Sequence, residues 1–279
     1  MENAYIKNLL DGYLKGFGQI LLQSDSRSGI LVLAGIFLGS TTEGLSAMMG
    51  GIIALATARI CRFPSDKIAQ GLYGFNAALV SVALTHFFGL SPMLTLVLIL
   101  GSFLATLFTF VAFAAGIPPY TIPFICITWC VCHWSPDLAL IPRQQVVAAS
   151  TPFLAIPYGL GQVVLQENIG SGVLFFLAIV IHSRPAALFA LGGLLAGTLT
   201  ACLAGIPDGM IDNGTYGYCA ILCALAWVGD NGHQILYAIL GVLLCCLLMW
   251  LMLHLGYLPL TFPFVASTWL LLLTHIHKS

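Results

Sequence analysis

Thr121 stands two residues ahead of a Pro-Phe pair in "PPYTIPF", and Thr261 does the same in "LPLTFPF". Proline breaks the helix hydrogen-bond ladder and frees backbone carbonyls. A threonine hydroxyl beside freed carbonyls makes a short row of hydrogen-bond acceptors. Gln19 and Gln162, each closing a Gly-x-Gly-Gln phrase, add amide groups. Phe75 and Tyr218 add flat apolar walls, with Leu79 and Leu222 one helical turn further on. No acidic or basic residue recurs among these phrases: Asp25 and Glu167 do not align, and Glu43 has no acidic counterpart. Ion pumps and proton relays normally carry paired charges inside the membrane. The set suits a small, flat, uncharged permeant rich in N–H donors, moving down its own gradient.

These residues come in pairs because the chain is a tandem duplication. "GFGQILLQSDSRSGIL" (16–31) and "GLGQVVLQENIGSGVL" (159–174) agree at eight of sixteen positions. "GLYGFNAALVSVAL" (71–84) returns as "GTYGYCAILCALAW" (214–227); Gly18 and Gly161, like Gly71 and Gly214, are 143 residues apart. "GIPPYTIPFICITW" (116–129) returns as "GYLPLTFPFVASTW" (256–269), with Pro123 and Pro263 140 residues apart. The copies are read as residues 1–142 and 143–279. The matches fall on Gly, Pro, Gln, Thr and aromatics, while most apolar positions differ. Taken singly, each of these residues is as readily explained by helix packing, since small residues let membrane helices approach. Their pairing across the copies favours pore lining for Thr121 with Thr261 and Phe75 with Tyr218.

The elements that must position them are membrane helices. Hydrophobic residues make up 59% of the 279 and charged residues only 7%, against about a quarter charged in a soluble domain, and the mean hydropathy is +1.01. Apolar runs lie near 28–43, 45–61, 71–89, 93–115 and 118–134, and again near 170–183, 185–204, 214–229, 235–254 and 258–276, giving ten expected crossings. Two half-apolar stretches, 4–24 and 145–167, precede the sets; they read either as re-entrant segments or as surface amphipathic helices. An odd number of crossings per copy inverts the second copy relative to the first, which places a substrate path at the pseudo-two-fold axis.

Charge sets the orientation. With the N-terminus inside, Lys7, Lys15, Arg27, Arg59, Arg62, Lys67, Arg184 and Lys278 are cytoplasmic, Asp208 and Asp212 are outside, and Arg143 alone breaks the rule. Both termini are then cytoplasmic. Lys7, Asp11 and Lys15 interrupt the first stretch, which does not read as a cleavable signal. A net charge of −1 without a basic cluster excludes nucleic acid as a partner. The nine cysteines mostly sit in apolar runs; Cys130, Cys132 and His133 flank a span end and read as apolar or interfacial rather than as metal ligands. No Gly-x-Ser-Gly with a partner histidine, no His-Glu-x-x-His and no paired aspartates occur, so no enzymatic reading and no cofactor is supported.

"GFGQ", "GLGQVVLQENIGSG", "GLYGFNAAL", "GTYGYCAIL" and "LPLTFPF" together give the chain, over essentially its whole length, a resemblance to the urea transporter family. The resemblance implies an all-α polytopic membrane protein of two inverted five-helix repeats, each with a re-entrant helix, around a central pore. It implies a homotrimer in the cell inner or plasma membrane, each subunit conducting urea or a close analogue passively through a narrow slot, with lipid around it. Carried over by motif, Phe75, Leu79, Tyr218 and Leu222 line the slot, Thr121 and Thr261 mark its middle, and Gln19 and Gln162 its ends. Leu22 and Leu165 stand where the family often has aromatics. The family usually has Asn after the slot aromatic; here Asn76 is matched by Cys219, which is expected to cost a structural hydrogen bond rather than a substrate contact. Another small neutral amide, or ammonia and methylamine, is the alternative permeant.

Overall fold

Small polar residues between the apolar runs set where the helices begin. Asp25 accepts from the backbone N–H groups of Arg27 and Ser28, Ser40 from Glu43, Ser91 from Leu94, Asn168 from Ser171, and Ser183 from Ala186. Each satisfies donors that a first helical turn leaves free. The computed structural model describes residues 2–144, 155–229 and 232–276, and among these it is built of helices without β-strands. The chain divides into two compact units, Met1–Val147 and Ala148–Ser279.

The first unit holds α1 (Glu2–Gly18), a 3₁₀ turn (Gln19–Leu21), α2 (Ser26–Gly39), α3 (Thr41–Ile60), α4 (Ser65–Ala69), α5 (Phe75–Phe87), α6 (Pro92–Ala114) and α7 (Ile122–Trp134). Helix α5 is its centre, packed against α3, α6 and α7; every residue from Phe75 to Thr85 is buried. Small residues allow this. A β-carbon at Gly50 of α3 would come within 2.5 Å of the Ala77 carbonyl oxygen, so the two helices meet backbone to backbone.

The second unit holds α8 (Ala155–Gln162), α9 (Ile169–His182), α10 (Arg184–Leu203), α11 (Asp208–Asp212), α12 (Tyr218–Ala226), α13 (Gly232–His254) and α14 (Phe262–Ile276). Helix α12 is buried from Tyr218 to Leu225, and Gly193 of α10 meets the Ala220 carbonyl at the same hypothetical 2.5 Å. Unusual backbone angles recur from one unit to the other. Leu22 and Leu165 both have φ 58°, Tyr120 and Leu260 have φ 42° and 45°, and Gly71 and Gly214 have φ 74° and 75°.

Helices α6 and α13, of 23 residues each, and α10, of 20, are long and apolar enough to cross a membrane; α1 and α2 form a pair bent by 70° that together also qualify. The chain is an integral membrane protein. The runs at 71–89 and 214–229, expected as full crossings, yield α5 and α12 of only 13 and 9 residues. At about 1.5 Å per residue neither reaches through a hydrocarbon core of about 30 Å. Glycine turns take up the start of each run, and the prolines of 116–123 and 256–263 shorten α7 and α14 in the same way. Of the two stretches preceding the sets, 4–24 forms α1 and its 3₁₀ turn. The other begins at 145–154, which lies outside the described residues, and continues as α8.

Arg143, the exception to the charge pattern, has a local task. Its Nη1 donates to Glu43 Oε1 at 3.4 Å and to the Thr85 carbonyl at 3.2 Å. His86 Nδ1 lies 3.4 Å from the same carboxylate oxygen, and Glu43 is buried. Backbone bonds from Gly89 to Ile141 and from Arg143 to Phe87 hold the segment after α7 against the end of α5.

Candidate functional site

Each unit gathers five of the ten residues singled out from the sequence. In the first, Gln19 opens the 3₁₀ turn and Leu22 closes it, its N–H donating to the Gln19 carbonyl at 2.9 Å. The Gln19 side chain donates to the Gln70 carbonyl at 2.9 Å. It thereby ties the end of α1 to the turn that leads into α5. The glycines of the two phrases meet at this junction. A β-carbon at Gly71 would lie 2.3 Å from the Gly16 nitrogen, and its positive φ is a conformation glycine adopts freely. The odd phrase and the Gly-x-Gly-Gln phrase are the two halves of one backbone contact.

From that junction α5 presents Phe75 and Leu79, both buried, one turn apart. Thr121, also buried, sits where α7 starts. Asn76 binds these parts together. Its Nδ2 donates to Thr109 Oγ1 at 3.1 Å and to the Tyr120 carbonyl at 3.0 Å, while its Oδ1 accepts from the Phe124 N–H at 3.2 Å. One amide thus fixes the left-handed residue before Thr121 and the first turn of α7. It satisfies a carbonyl that the proline-rich segment leaves outside any helix and an N–H that the first turn of α7 leaves free.

The second unit builds the same arrangement with different chemistry. Gln162 donates to Glu167 Oε1 at 3.2 Å rather than to a backbone carbonyl, and Leu165 closes its turn as Leu22 does. A β-carbon at Gly214 would lie 2.2 Å from the Gly159 nitrogen. Tyr218, Leu222 and Thr261 are buried. The Tyr218 hydroxyl donates to the Leu260 carbonyl, so its oxygen is turned to backbone. Cys219 takes the place of Asn76 and donates its thiol to the same carbonyl at 3.3 Å.

The ten side chains carry amide and hydroxyl groups and apolar surface, with no acid or base among them, though Gln162 is bonded to the Glu167 carboxylate. Sequence reasoning expected a structural hydrogen bond from Asn76 without naming its partners, the Thr109 hydroxyl, the Tyr120 carbonyl and the Phe124 N–H, and it passed over two further features. The Thr128 and Thr268 hydroxyls, equivalent in the duplication, are buried without a hydrogen-bond partner; their match within the repeated phrase was the available signal. The Glu43–His86–Arg143 cluster joins residues up to 100 positions apart, and nothing local in the sequence announces it.

Comparison with known proteins identifies the arrangement. A family model described as "Urea transporter" matches residues 10–276. "Urea transporter 1" of Rattus norvegicus is 26% identical over 250 residues, covering 81% of this chain and 64% of the relative. The proteins of the same description from Mus musculus and Ovis aries are each 25% identical, covering 81% and 78% of this chain and 64% and 62% of theirs. The chain therefore spans somewhat less than two thirds of the length of these relatives.

Proposed function

Because the chain belongs to the urea transporter family, we propose that it conducts urea passively across a membrane, through a narrow filter to which both repeats contribute. The doubled set carries this reading: each unit holds one Gln, one buried Thr at a proline-freed turn, one aromatic and two leucines, without acid or base. Urea is planar, with N–H donors along its edges and one carbonyl. Leaving each of its groups unpaired on entry would cost about 1–3 kcal/mol. The Thr121 and Thr261 hydroxyl oxygens are acceptors on the proposed path, and Phe75, Leu79, Tyr218 and Leu222 confine the flat faces. Hydrated ions lose far more solvation than neutral acceptors restore. A row of weak, similar sites lets a solute leave as readily as it enters.

The repeats are read as 1–142 and 143–279, inverted in the membrane, with both termini cytoplasmic, and the family resemblance supports a homotrimer in the inner or plasma membrane. Stopped-flow measurements on proteoliposomes test the function. Urea flux is expected to persist when proton and sodium gradients are abolished, and to exceed methylamine flux. A flux that vanishes with those gradients while a urea gradient remains, or that favours methylamine, overturns the proposal.

A further inference from the structure

Gln19 and Gln162 are equivalent in the duplication, yet their amides are held by partners of different chemistry. Gln19 Nε2 donates to the Gln70 carbonyl at 2.9 Å, and Gln162 Nε2 donates to Glu167 Oε1 at 3.2 Å. Gln70 closes the short helix α4, and its counterpart Asn213, 143 positions on, closes α11. Gln162 nevertheless turns to Glu167, which stands where the first unit has Ser24. A backbone carbonyl and a carboxylate anion accept hydrogen bonds and cannot donate them. Each therefore fixes which end of the amide faces it: the nitrogen is bound, and Oε1 is turned away. No protein hydrogen bond occupies either Oε1 among the described residues, and neither oxygen is sealed off by its surroundings.

We propose that Glu167 is a positioning residue for the permeant: by holding the Gln162 nitrogen it aims Gln162 Oε1 as an acceptor for a urea N–H at one end of the filter. This role rests on Gln162 being a filter residue of a urea conductor, as proposed above. The Gln70 carbonyl does the same for Gln19. One end of the filter is thus set by main chain and the other by a single exposed side chain. Without an acceptor at position 167 the Gln162 amide is free to turn over and present its N–H donors to the permeant, donor against donor. Glu167 also precedes Asn168, the cap of α9, where an acid suits the positive pole of a helix. That second role asks for charge. Positioning asks only for an acceptor, and a neutral glutamine supplies one.

Urea flux through the full chain in proteoliposomes, normalised to folded protein, separates the two roles. Glu167→Ala is expected to slow flux about two- to tenfold, the worth of one hydrogen bond. Glu167→Lys, which offers donors only, should slow it at least as much. Glu167→Gln should restore the flux that alanine loses. In a Gln162→Ala background Glu167→Ala should cause no further loss, a masking that a general loss of structure would not produce. Because Glu167 is exposed, its three variants should fold as the wild type does on size-exclusion chromatography. Unchanged flux in Glu167→Ala, a Glu167→Gln chain as slow as Glu167→Ala, or losses that add in the double variant overturn the positioning role and leave urea conduction standing. A wild-type chain that conducts no urea overturns the conduction itself, and this role with it.

Discussion

The thiol of Cys219 donates to the carbonyl of Leu260 at 3.3 Å, where in the first unit Asn76 reaches the Tyr120 carbonyl at 3.0 Å. The loss expected at Cys219 is therefore partial: the bond to the left-handed residue survives with a weaker donor, and the Tyr218 hydroxyl reinforces it.

Asn76→Ala should consequently be the costlier truncation. It strands the Tyr120 carbonyl and the Phe124 N–H in a buried setting, at about 1–3 kcal/mol per group. Cys219→Ala removes one weak donor and leaves Tyr218 on the same acceptor, so a loss of about 1 kcal/mol or less is expected. Thermal unfolding of the two variants in one detergent checks the order, and equal midpoints would contradict it.

Gly71→Ala and Gly116→Ala separate close approach from backbone angle. Both residues have positive φ, 74° and 72°, and any side chain there costs about 1–2 kcal/mol. Only at Gly71 does a β-carbon also strike backbone, 2.3 Å from the Gly16 nitrogen, whereas nothing lies within 4 Å at Gly116. Gly71→Ala is expected to abolish folded protein on size-exclusion chromatography, and Gly116→Ala to yield a folded chain with a lowered midpoint.

Arg143→Ala leaves the buried Glu43 carboxylate without a nearby guanidinium. Removing one partner of a buried pair costs more than removing both. The 3.4 Å separation and a partly exposed arginine keep the expected loss to about 1–3 kcal/mol. Arg143→Ala combined with Glu43→Gln should recover part of that loss. A double-mutant cycle on unfolding midpoints measures it, and strict additivity would show that the two do not interact.

Thr121→Val and Thr128→Val differ in what the hydroxyl is for. At Thr121, removal is expected to slow urea flux several-fold in proteoliposomes, because an acceptor on the proposed path is lost. At Thr128 the hydroxyl is buried without a partner, so valine should leave flux unchanged and raise stability by about 1 kcal/mol. Unchanged flux in a folded Thr121→Val would remove Thr121 from the path.

Helix content and membrane insertion were legible because a shortage of charge leaves few other structures open to the chain. The pairing of residues such as Thr121 with Thr261 was legible from the doubled phrases. Helix length was not. A hydropathy window counts Gly71–Gly74 as part of an apolar run, whereas the backbone uses those glycines to meet α1, and α5 starts only at Phe75. Tyr218 read as a wall from its place in the phrase, and its hydroxyl bond to Leu260 was not legible because it depends on a residue 42 positions away. The contact of Arg143, in the non-helical segment after α7, with Glu43 on α3 was not legible either, because the two lie 100 positions apart.

The short central helix has one more consequence. Neither Gly74 before α5 nor Thr121 before α7 caps its helix with a side chain, and Asn76 joins the two starts by bonding both Tyr120 and Phe124. Each start carries the positive pole of a helix macrodipole, roughly half an elementary charge. If the proposed path runs past these two starts, like poles held side by side, with no carboxylate among the ten side chains, would set a field there that opposes ammonium and guanidinium ions and leaves a neutral amide unaffected.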